Sequence, residues 1–229
     1  MDPNVILPLG GVVAFSGGTP DNVALVRATG LVTVDEGNAG DAFFREASRQ
    51  APHNLYARTA LLWARGGTPV PPEPLFQYVE KGEEFAGEPI ASFHVDLQAG
   101  YDVAYVWDPG TRGWKRFSQG LEPFLVTGPT PVQVAPTNVI VQLVPYGSGA
   151  DGNLIGTGEA WIFSNGRLVK GTWAKLYPPA PTVFADAAGK PIGLTPGRTW
   201  VELAPTGTSV TVLPGTATEP ASTTSPSSP

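Results

Sequence analysis

The sequence predicts an α+β protein: a partial α/β piece first, then a mostly antiparallel β domain, then a disordered C-terminal tail. Three observations carry this. Up to residue 66, short β-branched runs alternate with stretches of helical period. From Phe85 onward apolar residues recur at every second position, as in Ala91, Phe93, Val95 and Leu97. After Pro214 the chain is almost wholly Ser, Thr, Pro and Ala with a single Glu, a composition that buries no core. The expected boundaries are 1–66 for the α/β piece, 67–88 for a linker, 89–213 for the β domain and 214–229 for the tail.

Composition narrows the function. The 229 residues suffice for one large domain or two modest ones. Gly 28 and Pro 25 favour turns and short strands over long helices. A net charge of -6 argues against a nucleic-acid partner, because phosphate binding needs a basic face. There is no cysteine, so no disulfide, thiolate metal site, cysteine nucleophile or lipid-modified cysteine exists within this chain. No apolar run approaches the roughly 18 residues that a membrane helix needs, and Met1-Asp2-Pro3-Asn4 is not a signal peptide. No cofactor and no metal is expected. The acidic loop 35–41 misses the calcium-loop spacing and reads as solvated.

In chain order, Val5-Ile6-Leu7 and 11–15 read as strands. Ser16-Gly17-Gly18 then leads to Thr19 as N-cap, Pro20 at the first helical position and Asp21 in the first turn, with Gly30 ending the helix. Such a turn before a helix N-terminus suits an anion, or simply a tight connection. Residues 31–34 form a further strand. Residues 41–50 are expected to be helical, placing Arg45 and Arg49 one turn apart on one face, where two guanidiniums could grip a carboxylate or phosphate. Pro52 ends that helix, and Asn54 caps the next one over 55–65, whose positions 55, 59, 62 and 63 form a stripe before Gly66. The alternative for these polar residues is structural: arginines pairing with Asp41, Glu46 or carbonyls, and His53 and Asn54 completing a turn.

In the β region, His94 alternates outward, and Tyr101, Val103, Tyr105 and Trp107 make an aromatic face. The turn 108–113 returns as Trp114-Lys115-Arg116-Phe117. Residues 138–144 read as a central strand by their near-continuous apolarity. Asn165-Gly166 between two apolar runs is a strong hairpin signal. Residues 183–194 read as another hairpin, and 199–203 as a strand with a short continuation at 209–212. Tryptophans on strands fill cores more often than they stack on sugars, but Trp173, between Gly171 and Lys175, has small and cationic neighbours on a face expected to be open.

A resemblance rests on these residues. Arg45, Arg49, Ala51-Pro52-His53-Asn54-Leu55-Tyr56 and the upstream Ser16-Gly17-Gly18 resemble the N-terminal domain of the YerB-like bacterial lipoprotein family, a domain of unknown function numbered 3048. Its C-terminal domain is matched by Trp114 to Arg116 with Gly120, by 138–141, by 158–163, by Asn165-Gly166, by 171–175 and by 196–201. The resemblance implies an exported, extracytoplasmic protein of the cell envelope, membrane-anchored through a lipid at full length, and supplies no catalytic residues. The family's signal peptide, lipid-attachment cysteine and the earlier part of the N-terminal domain are not in this chain, so residues 1–66 are expected to be the C-terminal part of that domain.

The function expected on these grounds is a non-enzymatic envelope protein that binds an anionic ligand, a glycan of the cell wall or a protein partner. Arg45 and Arg49 would grip the anion, and His53, Asn54 and Tyr56 would orient it, with Trp173, Lys175 and the Ser16, Gly17, Gly18 turn as further contacts. The alternative is a hydrolase of envelope polymers with His53 as general base, assisted by Asp41 or Glu46.

Overall fold

The computed structural model describes residues 3–66, 73–97, 100–125, 130–147 and 152–215. The chain divides into two compact units. The first comprises Met1–Gln77, Pro145–Gly158 and Trp173–Phe184; the second comprises Tyr78–Val144, Glu159–Thr172 and Ala185–Pro229. The units are therefore interleaved in sequence.

The first unit opens with helix α1 (Pro3–Ile6) and a 3-10 turn at Leu7–Leu9, where a strand was expected. Pro3 and Pro8 explain the difference, since a proline suits a first helical turn and has no N–H for a strand ladder. Strand β1 (Val12–Ala14), helix α2 (Pro20–Arg27) and strand β2 (Val32–Val34) follow. The strands are parallel, Val12 opposite Val32, so this stretch is one β-α-β unit. The start of α2 follows the local chemistry, with Thr19 accepting from the Asn22 N–H and Pro20 in the first turn.

Residues 41–50 are not helical. Phe43–Arg45 is strand β3, paired antiparallel with β4 (Leu55–Ala57), and helix α3 is confined to Thr59–Arg65. Two competitors defeat the helix. The aromatic pair Phe43-Phe44 favours an extended strand with a partner available across the hairpin, and the Glu46 carboxylate binds the N–H and hydroxyl of Ser48, a local arrangement that competes with helical bonding. Asn54 accordingly caps no helix; Arg58 stands at the N-cap of α3 without a side-chain cap bond. Val34, Ala39 and Ala42 form a small core with Val12, Phe43, Leu61 and Leu62 packed against it.

The remaining strands are β5 (Glu88–Asp96), β6 (Asp102–Asp108), β7 (Gly113–Ser118), β8 (Phe124–Leu125), β9 (Val132–Gln133), β10 (Asn138–Val144), β11 (Gly156–Ser164), β12 (Arg167–Lys175), β13 (Val183–Asp186), β14 (Thr199–Pro205) and β15 (Val210–Pro214). The chain is thus β-rich with few helices. Its main sheet runs β14-β10-β11-β12-β5-β6-β7, with β13 beside β12 and β15 beside β5. β10–β11, β12–β5, β15–β5, β5–β6 and β6–β7 are antiparallel, whereas β10 and β14 are parallel, Asn138 opposite Thr199. All seven residues of β10 are buried, as its apolar run requires. At the β11–β12 turn Asn165 and Gly166 have φ of 48° and 71°, the left-handed pair that a two-residue hairpin demands.

The expected linker falls partly outside the described residues, at 67–72. From Tyr78 onward its remainder is part of the second unit: Tyr78 bridges to Leu194, the Val79 N–H donates to the Leu194 carbonyl, and Phe85 is buried. Of the expected tail, 216–229 lies outside the described residues, whereas Pro214 ends β15 and the Gly215 N–H donates to the Pro89 carbonyl.

The core of the second unit gathers Phe93, Tyr105, Trp114, Val139, Val141, Phe163 and Ala204, from β5, β6, β7, β10, β11 and β14. Phe93 stacks with Phe163 and Tyr105, while Trp114 meets Phe93 and Phe163 edge-on. The sheet curls so that its two ends meet. The Trp114 and Arg116 N–H groups of β7 donate to the carbonyls of Pro136 and Val134, in the segment that leads into β10. Arg116 reaches Glu202 of β14 at 3.2 Å, with side chains only 13% and 11% exposed. The same Glu202 Oε1 accepts from the Tyr105 hydroxyl at 2.6 Å and the Trp200 indole at 3.0 Å. Burial and the Glu202 charge push the Tyr105 phenol well above its ordinary range, so it stays a donor.

Glu202→Leu should cost about 3 kcal/mol in urea unfolding, because it leaves the half-buried Arg116 guanidinium without its carboxylate. Adding Arg116→Met should recover part of that loss, the remainder reflecting the Tyr105 hydroxyl left without its acceptor.

Candidate functional site

The hairpin of β3 and β4 is where exposed cations and rings converge. Phe44 and Tyr56 face each other across the two strands, with ring centroids 5.9 Å apart. The Arg49 guanidinium lies over the Tyr56 ring at 5.8 Å, and that of Arg58 over the Phe44 ring at 4.4 Å. Each such contact is worth about 0.5–1 kcal/mol at an exposed site, enough to bias where the guanidinium lies. Arg58 is held further by donating to the Asp41 carbonyl at 2.6 Å.

The loop between the strands is braced by its own polar groups. The Glu46 N–H donates to the Asn54 carbonyl at 2.7 Å, closing the base. Asn54 accepts from Arg45 through Oδ1 at 2.8 Å, and its Nδ2 donates to the Arg49 carbonyl at 3.3 Å. The Ser48 N–H and hydroxyl bound to Glu46 hold that carboxyl below its usual range. The Ala51–Pro52 peptide is cis.

Beyond the hairpin the chain of contacts continues. Arg45 stands 3.6 Å from Glu36 Oε1, which accepts from the Ser16 hydroxyl at 3.3 Å. Glu36 is presented by a turn that Asp35 organises, and the expectation of a solvated acidic loop does not hold there. Asp35 is buried; its carboxylate takes Arg27 at 2.6 Å and the N–H groups of Gly37 and Asn38. The Arg27 hydrogen bond, foremost, holds the Asp35 carboxyl below its ordinary value against the opposing effect of burial.

The structure therefore brings Ser16, Arg45, Arg49, Asn54 and Tyr56 into one run of contacts, through a residue read as solvent-facing, Glu36. Gly17 and Gly18 continue from Ser16 with φ of 66° and 141°, backbone that side-chain-bearing residues rarely adopt. His53 is exposed in the loop, and among the described residues no hydrogen-bond or ion-pair partner is found for it. Phe44 and Arg58 were not singled out in the sequence; strand alternation across 43–45 and 55–57 is the signal that pairs Phe44 with Tyr56.

Trp173 and Lys175 do not present an open face. They are 1% and 3% exposed, and the Lys175 ammonium donates to the Asn4 carbonyl at 2.6 Å. Their strand is interior to the sheet, with β11, β5 and β13 as neighbours. Small Gly171 admits the Ala185 carbonyl rather than a ligand.

Among the described residues neither Arg49 nor Arg58 has a carboxylate within 4.0 Å, whereas Arg27, Arg45 and Arg65 each do. Neither guanidinium fork is occupied by an ion pair, although the Arg49 charge helps to hold the Glu46 carboxyl down, and each fork can accept an anionic oxygen pair.

Because the Asp35 carboxyl is lowered in the folded protein, its contribution is present above its unfolded value and lost as pH falls through the folded one. Asp35→Asn should therefore lower stability by about 1 kcal/mol at pH 7, the exposed Arg27 end of the pair limiting the loss. It should also flatten the decline of the urea midpoint below pH 4, which a pH series of unfolding curves would read.

Residues 1–68 match the N-terminal domain, and residues 93–201 the C-terminal domain, of a protein family of unknown function, DUF3048. Among solved structures, the YerB protein from Bacillus subtilis is similar in fold, with a TM-score of 0.72 and 16% sequence identity, over 91% of this chain and 73% of that one. No curated protein matches the sequence.

Proposed function

Because the chain belongs to the DUF3048 family, whose function is unknown, its role has to be argued from its own surface, and we propose a non-enzymatic cell-envelope protein that binds an anionic wall polymer through the β3–β4 hairpin. The observation that supports this reading is the pair of arginines, Arg49 and Arg58, each over a ring, of Tyr56 and Phe44, with no carboxylate within 4.0 Å of either among the described residues. A ring attracts the cation without neutralising it, so the guanidinium N–H groups stay available for phosphate or carboxylate oxygens. A polymer offers such groups repeatedly, so two modest contacts add through effective concentration. The envelope location rests on the resemblance to exported lipoproteins.

The rival reading, hydrolysis with His53 as base, has less in its favour. The carboxylates that were candidates to assist it are engaged elsewhere, Asp41 with Arg65 at 3.4 Å and Glu46 with Ser48 at 2.9 Å.

Co-sedimentation with purified wall sacculi tests the proposal. Arg49→Ala and Arg58→Ala, each folded by circular dichroism, should each reduce retention about tenfold, and raised salt should weaken retention of the wild type. Unchanged retention in both variants would refute the assignment. Soluble fragments released by the wild type and not by a folded His53→Ala variant would make the protein a hydrolase instead.

A further inference from the structure

The second unit holds a cleft of about 570 Å³ that the hairpin site does not involve. One wall is the segment that precedes β5, with Glu80, Lys81, Glu83 and Glu84; the turns β6–β7 and β11–β12 contribute Arg112 and Asn165, and threonines from three further positions complete the lining. The volume is that of small-ligand sites, which span about 300–1,000 Å³.

Two features of this cleft, whose charged groups are all exposed, bear on what it could hold. Charges of both signs line it, yet among the described residues none of Glu80, Lys81, Glu83, Glu84 or Arg112 has an ion-pair partner within 4.0 Å. Arg112 donates only to a neutral acceptor, Asn165 Oδ1 at 3.1 Å, which steers the guanidinium and leaves its charge uncompensated. Second, Arg112 has φ of 51°, a left-handed conformation that glycine or asparagine adopts at lower cost. Its backbone is strained where its side chain lines the cleft, and such strain gathers at functional positions. The wall beneath is hydrogen-bonded: Asn138, Ser164, Thr195 and Thr199 satisfy one another's side chains, with Ser164 Oγ 2.6 Å from Asn138 Oδ1 and 2.7 Å from Thr195 Oγ1.

We propose that this cleft binds a short peptide-type ligand bearing a free ammonium and a free carboxylate, the carboxylate on Arg112 and Lys81 and the ammonium on the glutamates. A ligand of one sign would meet like charge on one side; a zwitterion satisfies both. The threonine hydroxyls and the Asn165 amide supply neutral partners for amide groups between the two ends. This site is independent of the hairpin, so its test separates from that of the anionic polymer.

The experiment is calorimetric titration of the full chain with tri-alanine, N-acetyl-tri-alanine and tri-alanine amide. Tri-alanine should bind, and each blocked form should bind at least about tenfold more weakly, since each lacks one charge-assisted contact. Arg112→Gly should lose tri-alanine affinity by a similar factor while its melting temperature stays equal or rises, because glycine relieves the left-handed residue. Arg49→Ala should bind tri-alanine as the wild type does. No binding of tri-alanine at millimolar concentration, equal binding of the blocked forms, or unchanged affinity in Arg112→Gly would each overturn the proposal.

Discussion

The second unit depends on closure of its curled sheet. A sheet of this length has two edges, and each exposes unpaired backbone groups that invite association. Here the edge at β7 is satisfied by the carbonyls of Val134 and Pro136, so the chain entering β10 serves as its neighbour. The Arg116–Glu202 pair fastens the side-chain layer over the same junction, joining β7 to β14. The pair is tolerated because the carboxylate also receives the Tyr105 hydroxyl and the Trp200 indole, which offset its desolvation. The aromatic stack around Phe93 can then be dry, with Tyr105, Trp114 and Phe163 fully buried.

Arginine is used in two opposite ways in this molecule. Arg116 is half-buried and compensated, and its work is structural. Arg49 and Arg58 are exposed and oriented by rings rather than by carboxylates. A cation already neutralised by a carboxylate gains little from an incoming anion, whereas a ring leaves its charge available. That difference, more than the number of arginines, singles out the β3–β4 hairpin.

Much of this was legible in the sequence, for local reasons. Alternation at 91–97, the apolar run at 138–144 and Asn165-Gly166 each specify their element by nearest-neighbour chemistry, and the strands lie where those signals place them. Partners distant in sequence were not legible. That β14 lies parallel to β10 depends on packing across more than fifty residues, and nothing in either strand declares it. The stretch 43–50 misleads for the same reason: the spacing of Arg45 and Arg49 suits a helix, but pairing of Phe43–Arg45 with Leu55–Ala57 overrides it. The cluster itself could be read, because Arg45, Arg49, Asn54 and Tyr56 are close in sequence. Glu36 could not, since its link to Arg45 requires two loops to meet. Trp173 and Lys175 were misjudged because composition on one strand does not reveal what flanks it.

The parallel pairing of β14 with β10 bears on how the chain is made. Translation delivers β10 long before residues 199–205 exist, so a nascent chain carries an apolar strand with one flank bare. Its antiparallel neighbour β11 can join early; the other side must wait for residues 199–205. A ribosome stalled, or a message cut, ahead of Thr199 would therefore release a sticky, incompletely covered sheet rather than a smaller stable domain.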